Sequence, residues 1–160
     1  MTGNVSNAPR VCLEPIRDSH LDTLFEHQAD LEAAAMAAVT PRDRSRFDAH
    51  WAKLRRDDTV ILRTVVADGV VAGGVTSWLE GERRLVGYWI GREHWGRGIA
   101  TRALSLFVAE VPIRPLYAHV AVHNASSIRV LRKCHFRPAS AREAPDPEDG
   151  VEELVLRLAG

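Results

Sequence analysis

Apolar and polar positions follow two rhythms along this chain, one of period near 3.6 and one of period two. Near the start, Val11-Cys12-Leu13-Glu14-Pro15-Ile16 predicts a short strand. Asp18 or Ser19 then caps a helix carrying Leu21, Leu24 and Phe25, and the alanine-rich stretch Leu31 to Val39 continues helical. Thr40 suits an N-cap and Pro41 a first helical position, so a new helix is expected there, with Phe47, Trp51 and Leu54 on one face. The rhythm changes at Val60. Val60 to Val66 is β-branched and runs into Asp68-Gly69, a hairpin signal. Val70 to Trp78 is the partner strand, Glu80-Gly81-Glu82 a second turn, and Arg84 to Ile90 a third strand. Strands joined by such short turns are antiparallel. Helical spacing returns over Ile99 to Val111, which Pro112 and Pro115 end. A strand at Leu116 to Val122, a helix at Asn124 to Cys134, a strand region from Phe136, an acidic loop at Ala144 to Gly150 and a closing strand at Val151 to Leu158 complete the chain.

This order predicts an α+β fold: a mixed, mainly antiparallel sheet with helices packed on it. Residues 11–160 read as one domain, preceded by a short mobile lead-in at residues 1–10. That lead-in is polar and does not read as a secretory signal, and no apolar run approaches the roughly 20 residues of a membrane helix, so a cytoplasmic protein is expected. The formal net charge of +0 gives no pull toward nucleic acid or an anionic membrane, and neither is expected as a partner. Cys12 and Cys134 are far apart and form no CxxC, so no disulfide or metal site is expected.

The chemistry concentrates where the third strand runs through Gly91 to Trp95 into Gly96-Arg97-Gly98-Ile99-Ala100-Thr101. A helix start exposes unpaired N–H groups and the positive end of its dipole, and glycines let a bulky anion approach. Arg97 and Arg92 can add charge-assisted bonds to a phosphate. Taken alone, the glycines equally fit a tight, well-packed turn. A P-loop would need Gly-Lys-Ser/Thr, which is absent, and a dinucleotide fingerprint would need a third glycine where Thr101 stands. Further on, Asn124 at the start of the next helix is either an N-cap or a group for a ligand amide lying between the two strand-to-helix junctions.

Two segments carry a resemblance. Trp95-Gly96-Arg97-Gly98-Ile99-Ala100 resembles the Q/R-x-x-G-x-G/A acetyl-CoA motif of the GNAT acetyltransferase superfamily, with Trp95 at the Gln/Arg position. Asn124 to Phe136 resembles the N-x-x-S-x-x-V-L-x-K-x-G-F segment of the branch similar to ribosomal-protein N-terminal acetyltransferases, with His135 in place of glycine. The resemblance spans roughly residues 11–158 and implies a GNAT-like sheet with helices on both faces. It implies an N-acetyltransferase moving acetyl from acetyl-CoA, as co-substrate, directly to a primary amine of a small molecule, peptide or protein N-terminus. It further implies a cofactor site made of Trp89, Ile90, Arg92, Trp95, Gly96, Arg97, Gly98, Ile99, Ala100, Thr101, Asn124, Ser127 and Leu131, with Ser127 donating to the leaving thiolate. The general base is open. No carboxylate lies on Arg84 to Ile90, and His119, His123, a water chain or no base at all each fit. Acceptor recognition is expected from the N-terminal helices and hairpin loops, with Phe47, Trp51, Trp78, Tyr88, Glu80 and Glu82 as candidates. The alternative is a non-catalytic acyl-CoA-binding or sensor domain of the same fold, and a monomer or homodimer is expected.

Overall fold

Alternating apolar residues build the central sheet of the computed structural model, which describes residues 8–140 and 152–160. Strand β1 (Val11–Pro15) pairs antiparallel with β2 (Ile61–Ala67), β2 with β3 (Val70–Glu80), and β3 with β4 (Arg83–Ile90). Asp68 and Gly69 both adopt positive φ, 50° and 80°, the conformation a two-residue hairpin needs. The expected meander is therefore present. β4 then pairs parallel with β5 (Leu116–Ala121), and β7 (Glu153–Leu158) lies antiparallel between β5 and the two-residue β6 (Arg137–Pro138). The strand order is β1-β2-β3-β4-β5-β7-β6. The acidic loop expected at Ala144 to Gly150 lies outside the described residues.

Helices cover both faces. On one face α4 (Ile99–Glu110) and α5 (Ala125–Lys133) bury Ile99, Leu104, Phe107 and Leu131 against Val65, Val75, Val86, Leu116 and Leu156. On the other face α1 (Leu21–Ala29) and α3 (Arg44–Arg56) close a second core around Leu24, Phe47, Trp51 and Leu62. Each fully buried side chain of this size contributes about 1.5–3 kcal/mol of transfer free energy.

Three helix boundaries differ from the sequence reading. Neither Asp18 nor Ser19 caps the first helix, because Asp18–His20 forms a 3₁₀ turn and α1 begins after His20 without a side-chain cap. The alanine-rich stretch forms a separate helix, α2 (Leu31–Ala37), because Asp30 leaves helical geometry (φ −65°, ψ 119°) and its carboxylate accepts the Ala33 N–H at 2.9 Å. The third helix starts after Asp43, not at Pro41, because the Asp43 carboxylate accepts the Arg46 N–H at 2.8 Å and outcompetes Thr40 as the cap. Among the described residues, no helix is long and apolar enough to cross a membrane.

Candidate functional site

β4 and β5 run together only at Arg84 with Leu116 and Leu85 with Tyr117, then diverge as each feeds its own helix. The β5-facing edge of β4 beyond Leu85 is therefore left without a strand partner among the described residues. Gly91 N–H bonds Ala72 of β3 at 2.9 Å, so by strand alternation the Ile90 and Tyr88 backbone groups point the other way, into the gap. The Trp95 indole confirms that direction by donating to the Ile90 carbonyl at 2.9 Å.

A cleft of about 410 Å³ opens at this divergence. Its walls are β4, the starts of α4 and α5, and the apolar face of α2 at Ala33, Met36 and Ala37. The α4 start is exposed: Gly96 and Gly98 adopt φ of 76° and 75°, and Gly98 caps the helix without any side-chain bond. A Cβ at either glycine would meet open space, so left-handed backbone is what demands glycine there. The first N–H groups of α4 thus stay free to bind an anion. At the second junction, Asn124 does cap α5, accepting Ser127 N–H at 3.2 Å. The N-cap reading of Asn124 holds, and the residue lines the cleft as well.

Most of the sequence-predicted residues come together. Trp89, Ile90, Trp95, Gly96, Gly98, Ile99, Ala100, Thr101, Asn124 and Ser127 all line the cleft. Four others do not. Arg92 turns away to α2, where it pairs with Asp30 at 3.0 Å and Glu32 at 2.6 Å. Arg97 reaches back to Asp68 of the β2–β3 hairpin at 3.3 Å. Leu131, 1% exposed, belongs to the core beneath α4. His119 lies on the sheet face that turns away from α4 and α5, beside Glu153 with Nδ1 and Oε2 3.2 Å apart. It does not line the cleft. His123 Nε2 stands 3.2 Å from the Ala35 carbonyl of α2. Phe47 and Trp51 are core, Trp78 packs over Gly87, and Glu80 and Glu82 sit exposed at a turn.

The structure adds cations that the sequence reading missed. Arg129 and Lys133, one turn apart on α5, line the cleft beside Ser126 and Val130. Their signal was present as 3–4 spacing from Ser126, overshadowed by the arginines nearer the glycines. Tyr88 also moves to the centre. Its hydroxyl stands 2.6 Å from Ser127 Oγ, bridging β4 and α5. Burial pushes this phenol up to about 12, against which the Ser127 hydrogen bond acts only partly.

Known proteins align with this picture. Residues 10–137 match the acetyltransferase (GNAT) domain family. No curated protein matches the sequence. Solved structures share the fold. A spermidine N-acetyltransferase from Vibrio cholerae, solved with CoA and spermine, superposes with a TM-score of 0.75 at 16% identity, covering 92% of each chain. RimL, a ribosomal L7/L12 alpha-N-protein acetyltransferase solved with coenzyme A, gives a TM-score of 0.74 at 17% identity over 97% of this chain and 96% of its own. An N-acetyltransferase from Staphylococcus aureus Mu50 gives 0.73 at 15%, over 94% and 98%. At such identities the structural likeness is one of fold. The family match, in contrast, runs through both helix starts that frame the cleft and covers most of the sequence, and by it this chain belongs to the GNAT acetyltransferase family.

Proposed function

We propose that the protein is an acetyl-CoA-dependent N-acetyltransferase that moves acetyl directly to a primary amine of a small molecule or a protein N-terminus. The observation that carries this reading is the unpartnered edge of β4 between two helix starts, lined by the free N–H groups of α4 and by Arg129 and Lys133. The residues fit the co-substrate. Left-handed Gly96 and Gly98 open the α4 start to a pyrophosphate, the two α5 cations supply charge, and the Tyr88 backbone with the Ile90 N–H suits the amides of a pantetheine chain.

Acetyl-CoA supplies an activated thioester, so the protein has to position it and stabilise charge. The Ile90 N–H, aimed into the gap, is the donor for the carbonyl oxygen as charge builds there. Tyr88 and Ser127 line the cleft as a hydroxyl pair that would hold the leaving sulfur. Burial raises the Tyr88 phenol, so it keeps its proton and stays a hydrogen-bond donor. The pair therefore hydrogen-bonds the developing thiolate, and the proton that finally neutralises it comes from the acceptor's own nitrogen. This removes the need for a strong side-chain acid. The acceptor enters along the α2 wall of Ala33, Met36 and Ala37, the part of the cleft furthest in sequence from the acetyl-CoA motif.

The test is release of free thiol from acetyl-CoA with a panel of amines: polyamines, amino acids, aminoglycosides and peptides with free N-termini. Amine-dependent thiol release with matching acetylated product supports the assignment. Tight acetyl-CoA binding with no release across the panel would favour the non-catalytic binding domain instead.

A further inference from the structure

Three side chains that the proposed acetyl transfer does not use converge at the loop leading from β4 into the cleft, where His94 also lines the cleft wall. His27 on α1 is 6% exposed, and His94, in the short 3₁₀ turn Arg92–His94 after β4, is 12% exposed. Both nitrogens of both rings are buried without a hydrogen-bond partner among the described residues. An imidazole carries at least one donor and one acceptor or two donors, and burying all four nitrogens unsatisfied is costly. Something is needed to account for them.

Glu93 supplies the third group. Its Oε1 stands 3.4 Å from His27 Nε2 and 3.5 Å from His94 Nε2, longer than good hydrogen bonds to either ring. A tetrahedral zinc ion about 2.0–2.1 Å from each ligand separates those ligands by about 3.3–3.4 Å. The two measured edges fall close to that separation, and all three ligand atoms lie within 4.8 Å of one another. The rings meet edge to face, with centroids 5.9 Å apart and planes at 80°. The backbone holds the arrangement. A Cβ on Gly91 would come within 2.5 Å of the His27 ring, so glycine there makes room for it, and the Trp89 indole donates to the His27 carbonyl at 3.1 Å.

From this convergence of His27, Glu93 and His94 we propose a divalent transition-metal site of the zinc class, stapling α1 to the loop that forms one wall of the cleft. Two imidazoles and one carboxylate are a mixed N/O donor set that suits zinc, whereas calcium and magnesium take oxygen ligands. Three protein ligands leave a fourth position for water. No local spacing hints at the site, because His27 lies more than 60 residues from Glu93-His94. The proposal is independent of the acyl-transfer reading: it concerns what fixes the cleft wall and not the reaction inside it.

The test uses the full chain stripped of metal with a chelator. Co²⁺ titration followed by visible absorption, and Zn²⁺ competition against a chromophoric chelator, read stoichiometry and geometry. One equivalent per chain, the strong visible bands of four-coordinate Co²⁺ and a Zn²⁺-dependent rise in Tm are expected. His94→Ala and Glu93→Gln, both on the turn and not in the core, are expected to lose the bands and the Tm rise, while His123→Ala keeps both. His27→Ala should behave like His94→Ala if it folds, and the two turn variants decide the matter if it does not. Absence of stoichiometric binding to the wild type, or unchanged binding in folded His94→Ala and Glu93→Gln, overturns the site.

Discussion

Tyr88 and Ser127, with hydroxyl oxygens 2.6 Å apart, form a hydrogen-bonded pair lining the cleft. A hydrogen bond to a charged group is worth about 1.5–3 kcal/mol, so Tyr88→Phe and Ser127→Ala should each lower kcat about ten- to hundredfold and leave KM for acetyl-CoA nearly unchanged. The double variant should lose little beyond either single one, and fully additive losses in steady-state kinetics would separate the two hydroxyls. The pH dependence has a fixed sign. Burial raises the Tyr88 phenol from 10 to about 12, so the folded state holds its proton where the unfolded chain releases it. The stability this provides is complete below pH 10 and is lost as pH rises toward 12. Chemical denaturation from pH 9 to 11 should show that loss in the wild type and a shallower one in Tyr88→Phe. Little of this pairing was legible in the sequence, because Tyr88 and Ser127 meet across β4 and α5 from 39 positions apart. His119 does not line the cleft, which opens where β4 and β5 part, and strand alternation along β5 carries no information on where that happens. Arg92 and Arg97 pair with Asp30, Glu32 and Asp68 through tertiary contacts that no local pattern encodes.

On the proposed reading two helices, α4 and α5, bind the co-substrate. The two cations of α5 line the cleft that the bare start of α4 opens to an anion, so Arg129→Ala and Lys133→Ala should each raise KM for acetyl-CoA several-fold, with the effect shrinking as salt rises. Salt-dependent kinetics check this, and a salt-independent change would point to packing instead. The end of α5 carries strain. Phe136 N–H bonds the Leu131 carbonyl and His135 N–H the Arg132 carbonyl, a Schellman closure that puts His135 at φ 72°, where the resembling families carry glycine. His135→Gly should therefore stabilise the protein by about 1 kcal/mol, a rise of a few degrees in Tm by calorimetry. Here the sequence was legible in detail: the missing glycine marks the strained residue. The start of α3 was less so, because Thr40-Pro41 and Asp43 are both good signals and only the Asp43 contact to Arg46 decides between them.

For the whole molecule, hydrophobic period and turn chemistry predicted the antiparallel meander, but the site depends on one parallel pairing, β4 with β5, and on its early end. Periodicity carries no information on where two strands part. The two motif segments did, because they bracket the divergence, which is why the cleft could be anticipated while its α2 wall could not. The central claim is that the α4 start within this cleft holds the pyrophosphate of acetyl-CoA. The most direct test is calorimetric titration of acetyl-CoA into wild type and Gly98→Asp, with the fold of both verified by circular dichroism. Gly98 sits at φ 75°, a conformation aspartate tolerates better than most residues, at a cost of about 1–2 kcal/mol, while its carboxylate would face the anion. One site per chain in the wild type and no measurable binding in a folded Gly98→Asp is the result expected. Equal affinity in the two proteins would contradict the account.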